Sequence, residues 1–180
     1  ADGIPNSALR HLPFRTVAAL TRLYNGIVRT GHFPSPWKMG LVVTIPNPHK
    51  NLRRADGYRP ITPLSTLSKV FGLLFLKHLS PYLPPREEQF GFRSNLSTTL
   101  QLIRVIHHLS VAANKKESSV AVFLDMEKAF DSVWHEGLLC KLIRANVPPP
   151  LVRLVASFLS GRTFRVRVDG VLSGECPITA

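Results

Sequence analysis

The sequence predicts an α+β fold, and three observations carry that reading. Several stretches place apolar residues at helical spacing and end at glycine or proline, short β-branched runs lie between them, and an alternating segment near the end turns at Asp169-Gly170, a pair that favours a tight hairpin. At 180 residues and 44% hydrophobic content, the chain has material for one domain with its own core. The expected architecture is a set of helices packed on a small, mostly antiparallel sheet.

Leu20, Leu23, Tyr24, Ile27 and Val28 recur at helical spacing ahead of Gly31, which predicts a helix over 14–30. Pro34 and Pro36 then break the chain, and the β-branched run 41–45, entered from Gly40 and closed by Pro46, reads as a buried strand. The polar, basic stretch 47–58 reads as a loop. Ser65 can cap a helix that turns Leu67, Val70, Phe71, Leu74 and Phe75 inward and ends near Ser80, ahead of Pro81. After Pro84 and Pro85, Ser97 caps a further helix with Leu102, Val105, Ile106 and Leu109 on one face. The near-continuous apolar segment 119–126 predicts a central strand covered on both faces, and it runs into Asp125. Leu138, Leu139, Leu142 and Ile143 place a helix over 133–144, and Pro148 to Pro150 open another through Leu151, Leu154, Val155 and Phe158 as far as Gly161. Phe164, Val166 and Val168 alternate with Arg165 and Arg167, giving the hairpin one basic face.

Charge narrows the function classes. The chain has 23 Lys plus Arg against 11 Asp plus Glu, a net charge of +12, which favours a polyanionic partner and puts nucleic acid first. No acid occurs over 3–55 or 137–168, whereas Glu117, Asp125, Glu127, Asp131 and Glu136 gather in between. A carboxylate island in a basic chain fits a metal held beside nucleic acid; the alternative is a set of solvated helix faces with their ion-pair partners. The longest apolar run, 70–76, is too short to span a membrane, and the first ten residues lack the apolar core of a secretory signal. Two cysteines without metal-ligand spacing argue against a disulfide framework or a zinc site, so an intracellular, reducing location is expected. His107 and His108 are adjacent on a helix and therefore diverge, and Trp37 and Trp134 read as packing residues.

Asp125 is the first candidate for chemistry. A carboxylate at the end of a buried strand can hold a divalent ion at a sheet edge; taken alone it can equally start a turn or cap the next helix. The full string Ala-Val-Phe-Leu-Asp-Met-Glu-Lys-Ala-Phe-Asp over 121–131 resembles motif A of reverse transcriptases, in particular those of jockey-like non-LTR retrotransposons. The resemblance extends along the chain in the family's order. It takes in Asp2-Gly3-Ile4, the stretch from Gly31 through His-Phe-Pro-Ser-Pro-Trp to Lys38, Tyr58-Arg-Pro-Ile61, Leu67-Ser-Lys69, Gln89-Phe-Gly-Phe-Arg93, Ser97-Thr-Thr99, Trp134-His135 and the terminal hairpin.

The resemblance implies the fingers and partial palm of a right-hand polymerase, with fingers and connections over about 1–118 and palm over about 119–180. It implies a parent enzyme that extends a primer 3′ hydroxyl with deoxynucleoside triphosphates on an RNA template by two-metal phosphoryl transfer, serving retrotransposition in the nucleus or cytoplasm. Asp125 and the backbone carbonyl of Met126 would bind Mg2+, two ions in the complete enzyme, with Mn2+ as a substitute. Arg59 would grip the triphosphate with help from Lys50, each being otherwise an ordinary surface cation. Phe130 would close against the 2′ position of the incoming sugar, a role compatible with anchoring the next helix, while Asp131 reads as a helix cap. Arg93 is expected either to reach a template phosphate or to order the turn around it, and Arg165 and Arg167 are further candidates for nucleic-acid contact.

Two features set the bounds of that reading. The family carries a second carboxylate pair on a later hairpin, and no adjacent Asp-Asp occurs here, so the 180 residues are expected to stop short of that motif and to be inactive alone. Relatives commonly have Lys and Gly where this loop has Asn47 and His49, which supports an alternative: a non-enzymatic, basic nucleic-acid-binding relic of an inactivated element. A third reading, a two-metal nuclease on Asp125 and Glu127, lacks a His or Lys base in the same motif.

Overall fold

The computed structural model describes residues 3–54, 57–126, 129–130, 132–168 and 170–178. Asp2, Glu127, Asp131 and Asp169, each given a reading above, lie outside the described residues. The chain divides into two units, Ala1–Tyr82 with Asp131–Ala180, and Leu83–Phe130.

Among the described residues of the first unit, the helices are α1 (Asn6–Arg10), α2 (Phe14–Thr30), α3 (Thr66–Leu79), α5 (His135–Arg144) and α6 (Pro149–Leu159). The strands are β1 (Met39–Pro46), β2 (Tyr58–Ile61), β3 (Thr163–Val168), β4 (Val171–Leu172) and β5 (Cys176–Pro177). The second unit carries α4 (Thr98–Asn114). Helix α2 matches the span expected from its apolar spacing, and it ends because Gly31 takes φ +67 while its N–H closes on the Ile27 carbonyl at 3.0 Å. Ser65 and Ser97 cap α3 and α4 as expected, accepting from the N–H groups of Ser68 and Leu100 at 3.3 and 3.2 Å. Helix α5 closes differently: Asn146, at φ 55, donates to Ile143, and Val147 donates back to Leu142. That double closure puts Val147 and Leu142 together in the interior, where both are buried.

The core of the first unit is aromatic. Phe71 of α3 has ring centroids of Tyr24 at 5.5 Å, Trp37 at 5.8 Å and Phe33 at 6.2 Å around it, while Leu154 of α6, 1% exposed, closes the cluster. Trp37 is thus a packing residue, as expected. Two hydrogen bonds fasten the cluster's edges: the Tyr24 hydroxyl donates to the Leu67 carbonyl at 3.0 Å, and the Phe33 N–H donates to Ser157 Oγ at 2.9 Å. Burial raises the Tyr24 pKa.

Gly31 is required by space as well as by backbone conformation, since a Cβ there would stand 2.9 Å from the Arg153 Cβ of α6. Gly31→Ala is therefore expected to cost about 2 kcal/mol, from the left-handed backbone and the displaced helix together. Gly26→Ala, in open space on the same helix, should instead gain roughly 0.5–1 kcal/mol. Urea unfolding of both variants beside the parent chain checks the contrast; a Gly31→Ala midpoint equal to the parent's would contradict it.

The sheet runs β2-β1-β3-β4, with β5 on the same far edge of β3 as β4. Pairing is antiparallel between β1 and β2 and between β3 and its two short neighbours, but parallel between β1 and β3. The mostly antiparallel sheet is therefore a mixed one. Strand β2 starts at Tyr58, the last residue of the stretch read as loop, and runs on to Ile61; Pro60 would exclude it from a sheet interior, yet among the described residues it pairs only with β1, and an edge strand tolerates a missing N–H.

The clearest departure lies in the second unit. The segment 119–126 takes no regular structure, and Val120 and Leu124 are each 90% exposed. Its composition is that of a strand, but a strand exists only when a neighbour takes its N–H and C=O groups, and among the described residues none does. Helix α4 likewise buries no residue, with Leu102 and Ile106 exposed on the face expected to turn inward. It nevertheless closes firmly: Lys116, at φ 57, donates to Ala113, and Glu117 donates to Ala112, both at 2.9 Å.

Candidate nucleotide and nucleic-acid site

In the first unit, strand register decides which cations meet. Ile45 pairs with Arg59 across β1 and β2, while Leu41 and Val43 pair with Arg165 and Arg167 across β1 and β3. Residues in register share a face, and alternate residues along a strand share it too, so Arg59, Arg165 and Arg167 stand on one face of the sheet. Tyr58, Pro60, Phe164 and Val166 line the opposite side. Two strand spacings, about 10 Å, separate the Arg59 strand from the Arg165 strand.

The basic face borders a cleft of about 520 Å³ between the sheet and the start of α3, with Trp37, Met39, Leu41, Leu64, Arg165 and Arg167 among its walls. Arg165 donates through Nη2 to Glu175 Oε2 at 3.3 Å, while its Nε is buried without a partner among the described residues. A hydrogen bond from Thr163, then one from Arg165, hold the Glu175 carboxyl below the usual carboxylate range. Arg59 is exposed, and no described residue pairs with its guanidinium.

The loop between β1 and β2 extends the cationic surface with Lys50, Arg53 and Arg54, all exposed. It is closed by the Asn47 N–H on the Gly57 carbonyl at 2.9 Å and by the Lys50 N–H on the Asn47 carbonyl at 3.1 Å. Gly57 has no room for a side chain, because a Cβ would overlap the Asn51 carbonyl. Asn47 also offers Oδ1 to the His49 N–H at 3.5 Å, so its side chain helps shape the turn.

In the second unit, Asp125 and Met126 are exposed, and no described residue pairs with the Asp125 carboxylate. Phe130 is 82% exposed, and its ring meets that of Phe92 edge to face at a centroid distance of 6.3 Å and an interplanar angle of 82°. Arg93 directs Nη1 to two carbonyls of its own loop, Arg86 at 3.1 Å and Gln89 at 3.2 Å, while Gln89 Nε2 donates to Gly91 at 3.2 Å. Arg93 is thereby tied to its own turn.

A family model for reverse transcriptase (RNA-dependent DNA polymerase) matches residues 45–179. The chain belongs to the reverse transcriptase family. Among its relatives in Drosophila melanogaster is a probable RNA-directed DNA polymerase from transposon BS, 39% identical over 93% of this chain and 19% of the relative. The probable polymerase from transposon X-element and the RNA-directed DNA polymerase from mobile element jockey are each 38% identical over 99% of this chain and 20% of theirs. The chain thus spans about a fifth of the length of the curated relatives it matches. The α+β character expected of a polymerase fragment is present in its helices and small mixed sheet.

This reverse transcriptase segment brings some of the expected site residues together and keeps others in separate units. Arg59, Arg165 and Arg167 share a sheet face, Lys50 lies on the adjoining loop, and Asp125, Met126, Phe130 and Arg93 belong to the second unit. Among the described residues no group of three or more His, Cys, Asp and Glu forms a metal cage. One carboxylate beside a backbone carbonyl is still a hard-oxygen donor set that suits Mg2+, which takes one or two protein carboxylates and completes its shell with substrate phosphates and water. Phe92 is the residue that sequence reasoning passed over. It stands in the string Gln89-Phe-Gly-Phe-Arg93, where nothing in the sequence sets it apart from Phe90. Trp134, read as packing, is exposed, and its indole lies so close over Gly137 that a side chain there would overlap it.

Proposed function

We infer that this chain is the nucleotide- and template-handling segment of an enzyme that extends a primer 3′ hydroxyl with deoxynucleoside triphosphates on an RNA template, within the protein of a non-LTR retrotransposon acting in the nucleus or cytoplasm. The observation that carries this reading is the shared face of Arg59, Arg165 and Arg167, assembled from distant parts of a chain that belongs to the reverse transcriptase family.

Arg59 meets the triphosphate with a planar, always-charged fork, and Lys50 adds a point charge from the neighbouring loop. Arg165 and Arg167 bind phosphates of the template or primer, and the Arg165 Nε, which has no partner among the described residues, is a donor that such an oxygen would satisfy. Arg93 has its remaining guanidinium nitrogens for the same use. Asp125 and the Met126 carbonyl would hold Mg2+, or Mn2+ in its place, which when bound would supply activation of the 3′ hydroxyl and offset of charge on the transferred phosphoryl group. Phe130 stands against the sugar and excludes a 2′ hydroxyl. The segment 119–126 gains its strand neighbours, and the site its further carboxylates, from other parts of the parent protein. These 180 residues, which contain no adjacent Asp-Asp, do not polymerise alone.

The reading is tested on the triphosphate contact. In the complete polymerase, Arg59→Ala is expected to raise the apparent KM for deoxynucleotides about tenfold or more, the loss of one charge-assisted contact, with kcat changed far less. A KM unchanged within error removes Arg59 from the site. The chain by itself is expected to bind single-stranded RNA weakly, with log K falling as log salt rises and a slope that shrinks by about one when Arg167 becomes Ala. Binding measured by fluorescence anisotropy that ignores salt would contradict the basic face as a phosphate surface.

A further inference from the structure

Phe92 and Phe130 are both large, exposed aromatics, at 97% and 82%, and each is met edge to face by the other. Phe92 also has φ 58, a left-handed backbone that costs a side-chain-bearing residue about 1–2 kcal/mol. Neither feature repays itself in core burial. A strained, solvent-facing ring persists only where its surroundings over-determine it, and such residues gather at working sites. Here the surroundings are visible: Arg93 clamps two carbonyls of the turn, Gln89 clamps a third, and the turn delivers the Phe92 ring to Phe130. An edge-to-face partner restricts the rotamers available to the ring it meets, which matters most for a ring whose exposure leaves few other contacts.

The geometry points to Phe92 as a positioning residue that braces Phe130 and so sets how tightly the sugar of an incoming nucleotide is read. The inference rests on Phe130 facing that sugar. Phe92 touches neither substrate nor metal in this account; it acts through the ring it holds, and Gln89 and Arg93 act through the turn that holds Phe92.

The test is the ratio of kcat/KM for a deoxynucleotide to that for the matching ribonucleotide, measured in the complete polymerase for Phe92→Gly, Phe92→Tyr and Phe130→Ala. Glycine accepts the left-handed backbone without strain, so Phe92→Gly keeps the turn and removes only the ring. It is expected to lower the ratio roughly two- to tenfold, the range that an aromatic pair's coupling corresponds to, with primer–template affinity unchanged. Phe92→Tyr keeps the ring and should restore the parent ratio. A parent ratio in Phe92→Gly beside a lowered one in Phe130→Ala overturns the bracing role and leaves the sugar contact standing. A parent ratio in Phe130→Ala itself overturns the sugar contact, and the bracing role with it. A loss in Phe92→Tyr equal to that in Phe92→Gly also overturns it, because the ring would then not be what matters.

Discussion

Phe71→Ala is expected to destabilise the first unit by about 3–5 kcal/mol, enough to unfold a domain of ordinary stability. The ring is 3% exposed and has Tyr24, Phe33, Trp37 and Phe75 around it at centroid distances of 5.5, 6.2, 5.8 and 6.1 Å. Those neighbours come from α2, from the turn after it and from α3, so truncation opens a cavity that no single element can move in to fill. Leu74→Ala, three residues along the same helix at a position 41% exposed, should cost about 1 kcal/mol. Denaturant unfolding followed by tryptophan emission reads both, because Trp37 sits against Phe71. Equal costs for the two would mean that the aromatic cluster is not the core.

Asp125→Asn in the complete polymerase is expected to lower the rate of nucleotide addition by about a thousandfold or more, since removing one metal-binding charge forfeits on the order of 4 kcal/mol of transition-state stabilisation. The substitution keeps the shape of the side chain. Asp125 is exposed and has no described ion-pair partner, so the fold should not register the change. Primer–template affinity should likewise hold, because in the proposed role the lost charge would serve the metal and not the duplex. Single-turnover incorporation and duplex binding measured on the same preparation separate the two effects; a fall in both together would make Asp125 a structural residue.

Local signals were legible and long-range ones were not. Helix α2 could be read to its ends because Gly31 must take a conformation that few other residues accept, and α3 and α4 began where Ser65 and Ser97 said they would. Helix α1 and strand β5, of 5 and 2 residues, are too short to leave a period in the sequence. The segment 119–126 shows the opposite failure: β-branched composition encodes a preference, and the preference is silent about which edge will satisfy it. At the site, Asp125 and Phe130 were visible because their motif is contiguous. The meeting of Arg59 with Arg165 and Arg167 was not, since it depends on a parallel register between β1 and β3 that no periodicity records. Phe92 was hidden for a third reason: its importance lies in a positive φ and in one ring contact, and sequence carries neither.

The central claim is that this basic chain serves polymerisation and does not merely hold nucleic acid. The most direct measurement is primer extension on an RNA template by the complete protein that contains these residues, with the four deoxynucleotides and Mg2+, beside a binding measurement on the same primer–template. Template-length DNA is expected, with its formation lost in Asp125→Asn while binding persists. Tight binding with no extension at any divalent-ion concentration would contradict it and leave a nucleic-acid-binding relic.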